Sequence, residues 1–315
     1  MKEDELNKIR RLIGQYREHL ARENYAPRTV EDYPQKLKAF MKFLSHDDAE
    51  SLGDITPETI SRYQSYLYGL KKRKTPASWS LNSQSVSLTV LRQFFRYLLD
   101  QDKIMNDPTR KLELPKLNKS LPKGVMTGRE IRSILAQPDA DNPIGLRDKA
   151  ILELLYSTGI RNSELRNLMV YDVDIPHQEL RINQGKGRKD RVIPVGSIAA
   201  GYVEEYLQNA RPLLAKRKED PPYLFVSYRG KRITAANLIW AVNKYVEQAK
   251  IAKHITPHAF RHTCATHLLK RRASLRHIQE LLGHKTISAT QVYTQLETSD
   301  LKRELRRCHP REQAR

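Results

Sequence analysis

Residues 107–125 read DPTRKLELPKLNKSLPKGV and constrain the chain more than any other stretch. Pro115 and Pro122 disfavour helix at the residues before them, and no apolar period runs through the segment. Such a stretch cannot be the interior of a helix or of a central strand. It therefore divides the 315 residues into two parts of ordinary domain size. The expected boundaries are an N-terminal helical domain over 1–112, a linker over 113–125 and a second domain over 126–315.

The first part shows helical spacing throughout. Leu6, Ile9, Ile13, Tyr16 and Leu20 recur at the 3.6-residue period. Ala26-Pro27-Arg28-Thr29 reads as a break, and a helix resumes from Thr29 to Leu44, with Pro34 in its first turns. Thr56-Pro57 is a cap followed by proline at the first helical position. Lys71 to Trp79 is a basic loop, and a long helix runs from about Asn82 to Asp100. A bundle of four or five helices follows.

Charge separates the two parts. Residues 1–115 hold 20 Lys+Arg against 16 Asp+Glu, a net of +4, and residues 116–315 hold 36 against 20, a net of +16. A total of +20 implies an anionic partner, of which nucleic acid is the commonest. The cluster Lys71-Lys72-Arg73-Lys74 is the DNA-contacting candidate of the first part; its plain alternative is a solvated loop. Two cysteines give no disulfide framework and suit a reducing compartment. The N-terminus lacks the apolar core of a signal peptide, and no apolar run approaches a membrane span. A soluble, cytoplasmic protein is expected, with no membrane contact.

The second part opens on Thr127-Gly128-Arg129-Glu130, a capping box. A helix from about Ile144 to Ser157 ends at Thr158-Gly159. Arg161 follows, and Glu164 stands three residues on, spaced to hold it. Met169–Val173, Glu179–Asn183 and Arg191–Val195 read as short strands, and Tyr223–Val226 as a strand piece. Between the second and third strands, Gly185-Lys186-Gly187 reads as a tight hairpin with Lys186 at its tip. This is not a phosphate-binding P-loop, because Leu180 stands six residues before Lys186 and Gly187 follows it. Helices resume over about Ile198–Leu214 and Thr234–Lys250.

The stretch from Pro257 to Tyr293 carries the densest chemistry. His258 and Arg261, three apart, share a helix face. His284 follows Leu281-Leu282-Gly283, a helix-ending pattern. Tyr293 sits in a polar segment. Taken singly, these side chains are ordinary half-buried residues. Together they suit a phosphate: arginine neutralises its oxygens, histidine moves protons and tyrosine attacks. His258 and His262 are four apart, as in zinc proteases, but Ala259 stands where the general-base glutamate belongs. No metal is expected.

With these residues in view the chain resembles the tyrosine recombinases (phage integrase family), in particular their Xer-like site-specific branch. LPKLNKSLPKGVMTGREI, STGIRNSEL, QGKGRKDRVIPV, TPHAFRHTCATHLL and IQELLGHKTISATQVYT each look like a family segment, in the family's order. The resemblance implies a mainly α fold with a small β-sheet: an N-terminal SAM-like core-binding bundle and a C-terminal catalytic domain with a tail helix, together forming a DNA clamp. It implies that Arg161 and Arg261 grip the scissile phosphate and that Lys186 protonates the departing 5′ oxygen. It further implies that His258 lies near the attacking tyrosine, that His284 binds a phosphoryl oxygen, that Tyr293 is the nucleophile and that Glu164 supports the site. The implied reaction is cleavage and religation through a 3′-phosphotyrosine, without metal, ATP or cofactor. The implied assembly is a tetramer on two double-stranded DNA sites, with an accessory DNA-bending protein or partner recombinase in some systems. A non-catalytic DNA binder on this fold and a type IB topoisomerase are the alternatives. Two departures stand out: Arg271-Arg272 replaces a glycine common in relatives, leaving that helix end less defined, and Gln295 stands where a histidine often follows the tyrosine. With the helical bundle starting at the first residues, no arm-site domain is expected.

Overall fold

The computed structural model describes residues 1–71, 78–116, 124–183, 190–215 and 222–283. The chain separates into two compact units, Met1–Lys119 and Ser120–Arg315. In the first, the described residues form α1 (Glu3–Arg22), α2 (Pro27–Leu44), α3 (Pro57–Gly69) and α4 (Leu81–Asp100). Glu3, Asp4 and Glu5 open α1, and His19 and Arg22 close it, which complements the helix dipole. Leu6, Ile9, Leu12, Tyr16 and Leu20 are its buried stripe; Leu12 rather than Ile13 is the buried member. The core closes on aromatic pairs, Tyr16 with Phe94 and Phe40 with Tyr63 and Phe95. Thr56 caps α3 and Ser80 caps α4 through their side-chain oxygens.

The expected break at Ala26–Thr29 lies instead at Glu23–Ala26, and Pro27–Thr29 are already helix. α2 starts at Pro27, whose missing N–H is no loss at a first helical position. Pro34 consequently lies inside α2 and removes one helical hydrogen bond.

The second unit contains α5 (Gly128–Leu135), α6 (Pro143–Thr158), α7 (Asn162–Asn167), strands β1 (Val173–Asp174), β2 (Glu179–Ile182) and β3 (Arg191–Pro194), then α8 (Ser197–Glu205), α9 (Arg211–Ala215), α10 (Ala235–Gln248), α11 (Pro257–Lys270) and α12 (Leu275–Leu282). The capping box at α5 is formed: the Thr127 N–H donates to Glu130 Oε2 at 2.7 Å, and the Glu130 N–H to Thr127 Oγ1 at 3.2 Å. The sheet is antiparallel in the order β1-β2-β3, with Leu180 opposite Ile193 and Ile182 opposite Arg191. One core runs from Met126 through α6, the sheet, α8 and α10 to Phe260.

Three expectations change. Val170–Asp172 is a 3-10 turn rather than strand, because Asp172 Oδ2 accepts the Met169 N–H at 2.8 Å and closes the chain locally. Tyr223 and Val226 make only isolated bridges, to Met169 and Arg232. The helix expected over Ile198–Leu214 is interrupted by a π turn at Tyr206–Ala210, two residues before Pro212, whose ring cannot follow a regular turn.

Candidate active site

Helix ends meet in the second unit. A helix C-terminus leaves carbonyls without intrahelical donors and carries the negative end of the dipole, so a guanidinium is a fitting partner. α6 ends at Gly159 (φ +60°) and α12 at Gly283 (φ +63°), both left-handed. Arg261, on the second turn of α11 and 2% exposed, spans the two ends. Its Nη1 donates to the Gly159 carbonyl at 2.7 Å and its Nη2 to the Leu282 carbonyl at 2.6 Å. Arg161, the residue before α7, takes the adjacent carbonyl: Nη2 donates to Gly283 O at 2.9 Å.

Glu164 organises the other side. Its carboxylate accepts the Arg161 backbone N–H at 2.8 Å, capping α7, and Arg161 Nη1 at 2.7 Å. Arg191, at the start of β3, adds a bidentate pair: Nη1 to Oε1 and Nη2 to Oε2, each 3.0 Å. Burial alone would raise the Glu164 carboxyl, but the Arg191 hydrogen bonds, the Arg161 N–H and the two cationic neighbours hold it below the usual carboxylate range. It is ionised at neutral pH.

His258 lies on the exposed side of α11's first turn, edge-to-face with His262 at 4.4 Å between ring centroids. Desolvation by neighbouring protein atoms, then Arg261 and Arg161, push the His258 imidazole below its ordinary value. Burial, with His258 and Arg261, pushes His262 down to about 4. Both rings are neutral at pH 7, and a neutral imidazole can accept a proton. His267 is held elsewhere: with Nε2 donating to the Met126 carbonyl at 2.9 Å, its Nδ1 accepts from the Tyr156 hydroxyl at 2.9 Å, a tautomer assigned from these partners. Among the described residues no group of three His, Cys, Asp or Glu side chains is placed to hold a metal ion.

Of the residues singled out from sequence, Arg161, Glu164, His258 and Arg261 are thus gathered in one place. Lys186, His284 and Tyr293 lie outside the described residues, as do Lys72, Arg73 and Lys74. Lys71 is exposed and bridges Ser78. Arg191 escaped the sequence reading. Its signal was the strand alternation: Ile193 and Val195 are buried while Val192 is 54% exposed, so Arg191 falls on the inward face. A charge at an inward strand position calls for a buried partner.

The arrangement offers fixed guanidinium groups next to a neutral imidazole, which suits a phosphodiester whose displacement adds negative charge. Residues 124–300 match the Phage integrase family, and residues 12–104 match the phage integrase N-terminal SAM-like domain. The chain belongs to the phage integrase family. It is 36% identical over 308 residues to the tyrosine recombinase XerC of Oceanobacillus iheyensis, covering 97% of this chain and 98% of that one. It is 38% identical over 302 residues to the tyrosine recombinase XerD of Lacticaseibacillus casei, covering 95% and 99%. The XerH site-specific recombinase, solved bound to a palindromic difH substrate in a post-cleavage complex, shares the fold with a TM-score of 0.70 at 21% identity, over 92% of this chain and 81% of that one. The protein is accordingly a tyrosine recombinase, a site-specific recombination enzyme built from a SAM-like helical domain and a mainly helical catalytic domain with a three-stranded sheet. Among the described residues no helix is long and apolar enough to cross a membrane.

Proposed function

We propose that this recombinase cuts double-stranded DNA at specific recombination sites and rejoins the strands through a 3′-phosphotyrosine. The observation that carries the reading is the convergence of Arg161 and Arg261 on the adjacent carbonyls of Gly283 and Leu282, the two residues before His284 in the chain. Two guanidiniums held by backbone carbonyls have their orientation set before a phosphodiester arrives, and preorganised charge of this kind is often the largest catalytic contribution.

The Tyr293 oxygen attacks the scissile phosphorus and the bond from phosphorus to the 5′ oxygen breaks. The tyrosine proton passes to neutral His258, and Lys186 gives a proton to the leaving 5′ oxygen. Arg161, Arg261 and His284 bind the non-bridging oxygens. One phosphodiester replaces another, so the step is reversible, and the free 5′ hydroxyl of another strand can take the phosphate back without ATP. Two rounds of such exchange pass through a Holliday junction, on a tetramer holding two DNA sites. The task is resolution of multimers or integration and excision of a mobile element, with an accessory DNA-bending protein or a second recombinase as partner. In this reading residues 1–112 are the core-binding domain, 113–125 the linker and 126–315 the catalytic domain with its tail. Both domains bind the duplex, Lys71-Lys72-Arg73-Lys74 among the contacts, and the work is cytoplasmic.

The test is covalent trapping. Genomic DNA incubated with the wild-type protein and denatured should leave one DNA sequence attached at Tyr293, with a free 5′ hydroxyl on the other fragment. Tyr293→Phe should bind the same sequence and leave none. An adduct that persists in Tyr293→Phe overturns the nucleophile, and no adduct on any DNA overturns the reading.

A further inference from the structure

Arg161 is gripped at two points, and Arg191 touches both of them. The first is the Glu164 carboxylate, to which Arg191 donates twice, at 3.0 Å each. The second is Gly283, whose carbonyl receives Arg161 at 2.9 Å. A Cβ built on Gly283 would stand 2.9 Å from Arg191 Cζ, 3.0 Å from its Nε and 3.1 Å from its Nη1. The guanidinium therefore lies directly against the Gly283 backbone. Arg191 Nε is buried and, among the described residues, has no hydrogen-bond partner. A donor left unsatisfied costs stability, so packing and the Glu164 pair must outweigh that cost.

We propose that Arg191 is the positioning residue for Arg161. It fixes Glu164 from one side and packs against Gly283, whose carbonyl Arg161 uses, from the other, and so sets where the Arg161 guanidinium can lie. It also governs charge. If Glu164 served Arg161 alone, it would neutralise the cation that has to bind phosphate. Shared with Arg191, one carboxylate is divided between two guanidiniums, and Arg161 keeps positive charge to offer the substrate. Lysine cannot replace it: an ammonium is a point donor that cannot take both carboxylate oxygens in one plane or lie flat on Gly283.

The inference rests on the recombinase reading above, and its test separates the two. The probe is a nicked duplex carrying the site recovered by covalent trapping, in two forms. One has the natural scissile phosphate; in the other a methyl group replaces a non-bridging oxygen, which removes the charge that Arg161 answers. Wild-type protein, Arg191→Lys and Arg191→Met are compared for adduct rate at saturating protein, for DNA affinity and for melting temperature. Arg191→Lys keeps a cation beside Glu164 and so keeps the fold if Arg191→Met does not. The expected result for Arg191→Lys is adduct formation on natural phosphate about 10-fold to 100-fold slower, the range seen for partners that orient metal-binding side chains from behind. Affinity should change less than about 3-fold, and the defect should shrink on the methyl-substituted linkage. A folded Arg191→Lys that cleaves at the wild-type rate overturns the proposal, as does an equal defect on both linkages, which would mark a purely structural residue. Absence of wild-type adduct on the recovered site would count against the recombinase reading instead.

Discussion

Arg161 and Arg261 donate to consecutive carbonyls, Gly283 at 2.9 Å and Leu282 at 2.6 Å, although the two arginines are a hundred residues apart in sequence. The end of α12 is thus a shared seat for both. Anything that moves this end moves both guanidiniums together. The two glycines that end α6 and α12 are therefore as consequential as the arginines.

Gly283→Ala tests that seat. Its φ of +63° is left-handed, which costs a residue with a Cβ about 1–2 kcal/mol. The added Cβ would also meet Arg191 at 2.9–3.1 Å and push it from Glu164. Thermal unfolding should show a loss of about 2 kcal/mol or more, and adduct formation should slow together with it. A melting temperature equal to wild type would refute the packing of Arg191 on Gly283.

Gly159→Ala should be costlier still. Here φ is +60°, and the Cβ would stand 2.6 Å from Leu282 Cδ2 and 3.4 Å from the buried Cys264 sulfur. Both neighbours belong to packed interior, so strain adds to overpacking, about 2–4 kcal/mol in total. Denaturant titration would read this as a lower midpoint; a shift below 0.5 kcal/mol would contradict it.

Arg272→Gly should stabilise. Arg272 has φ +66°, the conformation that glycine adopts without penalty. The helix end that the arginine pair left undefined in sequence is in fact sharp: α11 stops at Lys270 and the chain turns left-handed at Arg272. Its side chain is exposed, and the electrostatic contacts of an exposed side chain are worth little. The gain should be about 1 kcal/mol in chemical denaturation. A loss would mean that its side-chain interactions outweigh the backbone strain.

What was legible in sequence was mostly local. Thr56, Thr127, Gly159 and Gly283 mark helix boundaries because caps and left-handed turns need those residue types. The pairing of Arg161 with Glu164 follows from a three-residue spacing. The Arg191–Glu164 pair spans 27 residues and depends on strand register, which no local pattern reports. The 3-10 turn at Val170–Asp172 hides behind the short apolar run of a strand, because a single aspartate closing a turn on Met169 decides it. The π turn before Pro212 was hidden because apolar spacing continues through it while the backbone hydrogen bonds do not.

Acid should act on this site through its histidines. His262 has its imidazole lowered from an ordinary value of about 6.5 to about 4 in the folded protein. Between those values the unfolded chain binds a proton that the folded chain refuses. Stability is therefore intact above pH 6.5 and lost progressively as pH falls towards 4. His262→Asn removes that group, so the difference in stability between variant and wild type should change in favour of the variant over this window and stay constant above it. His258 is lowered by the same desolvation and by Arg261 and Arg161, and it remains neutral at pH 7. Adduct formation should then stay flat from pH 8 down to about 6.5 and fall only below that, with the inflection under the ordinary histidine value. His258→Gln should remove the inflection and lower the plateau about 100-fold to 10,000-fold, the weight expected of a lost proton acceptor. An acid limb that survives unchanged in His258→Gln would assign the proton transfer to another group.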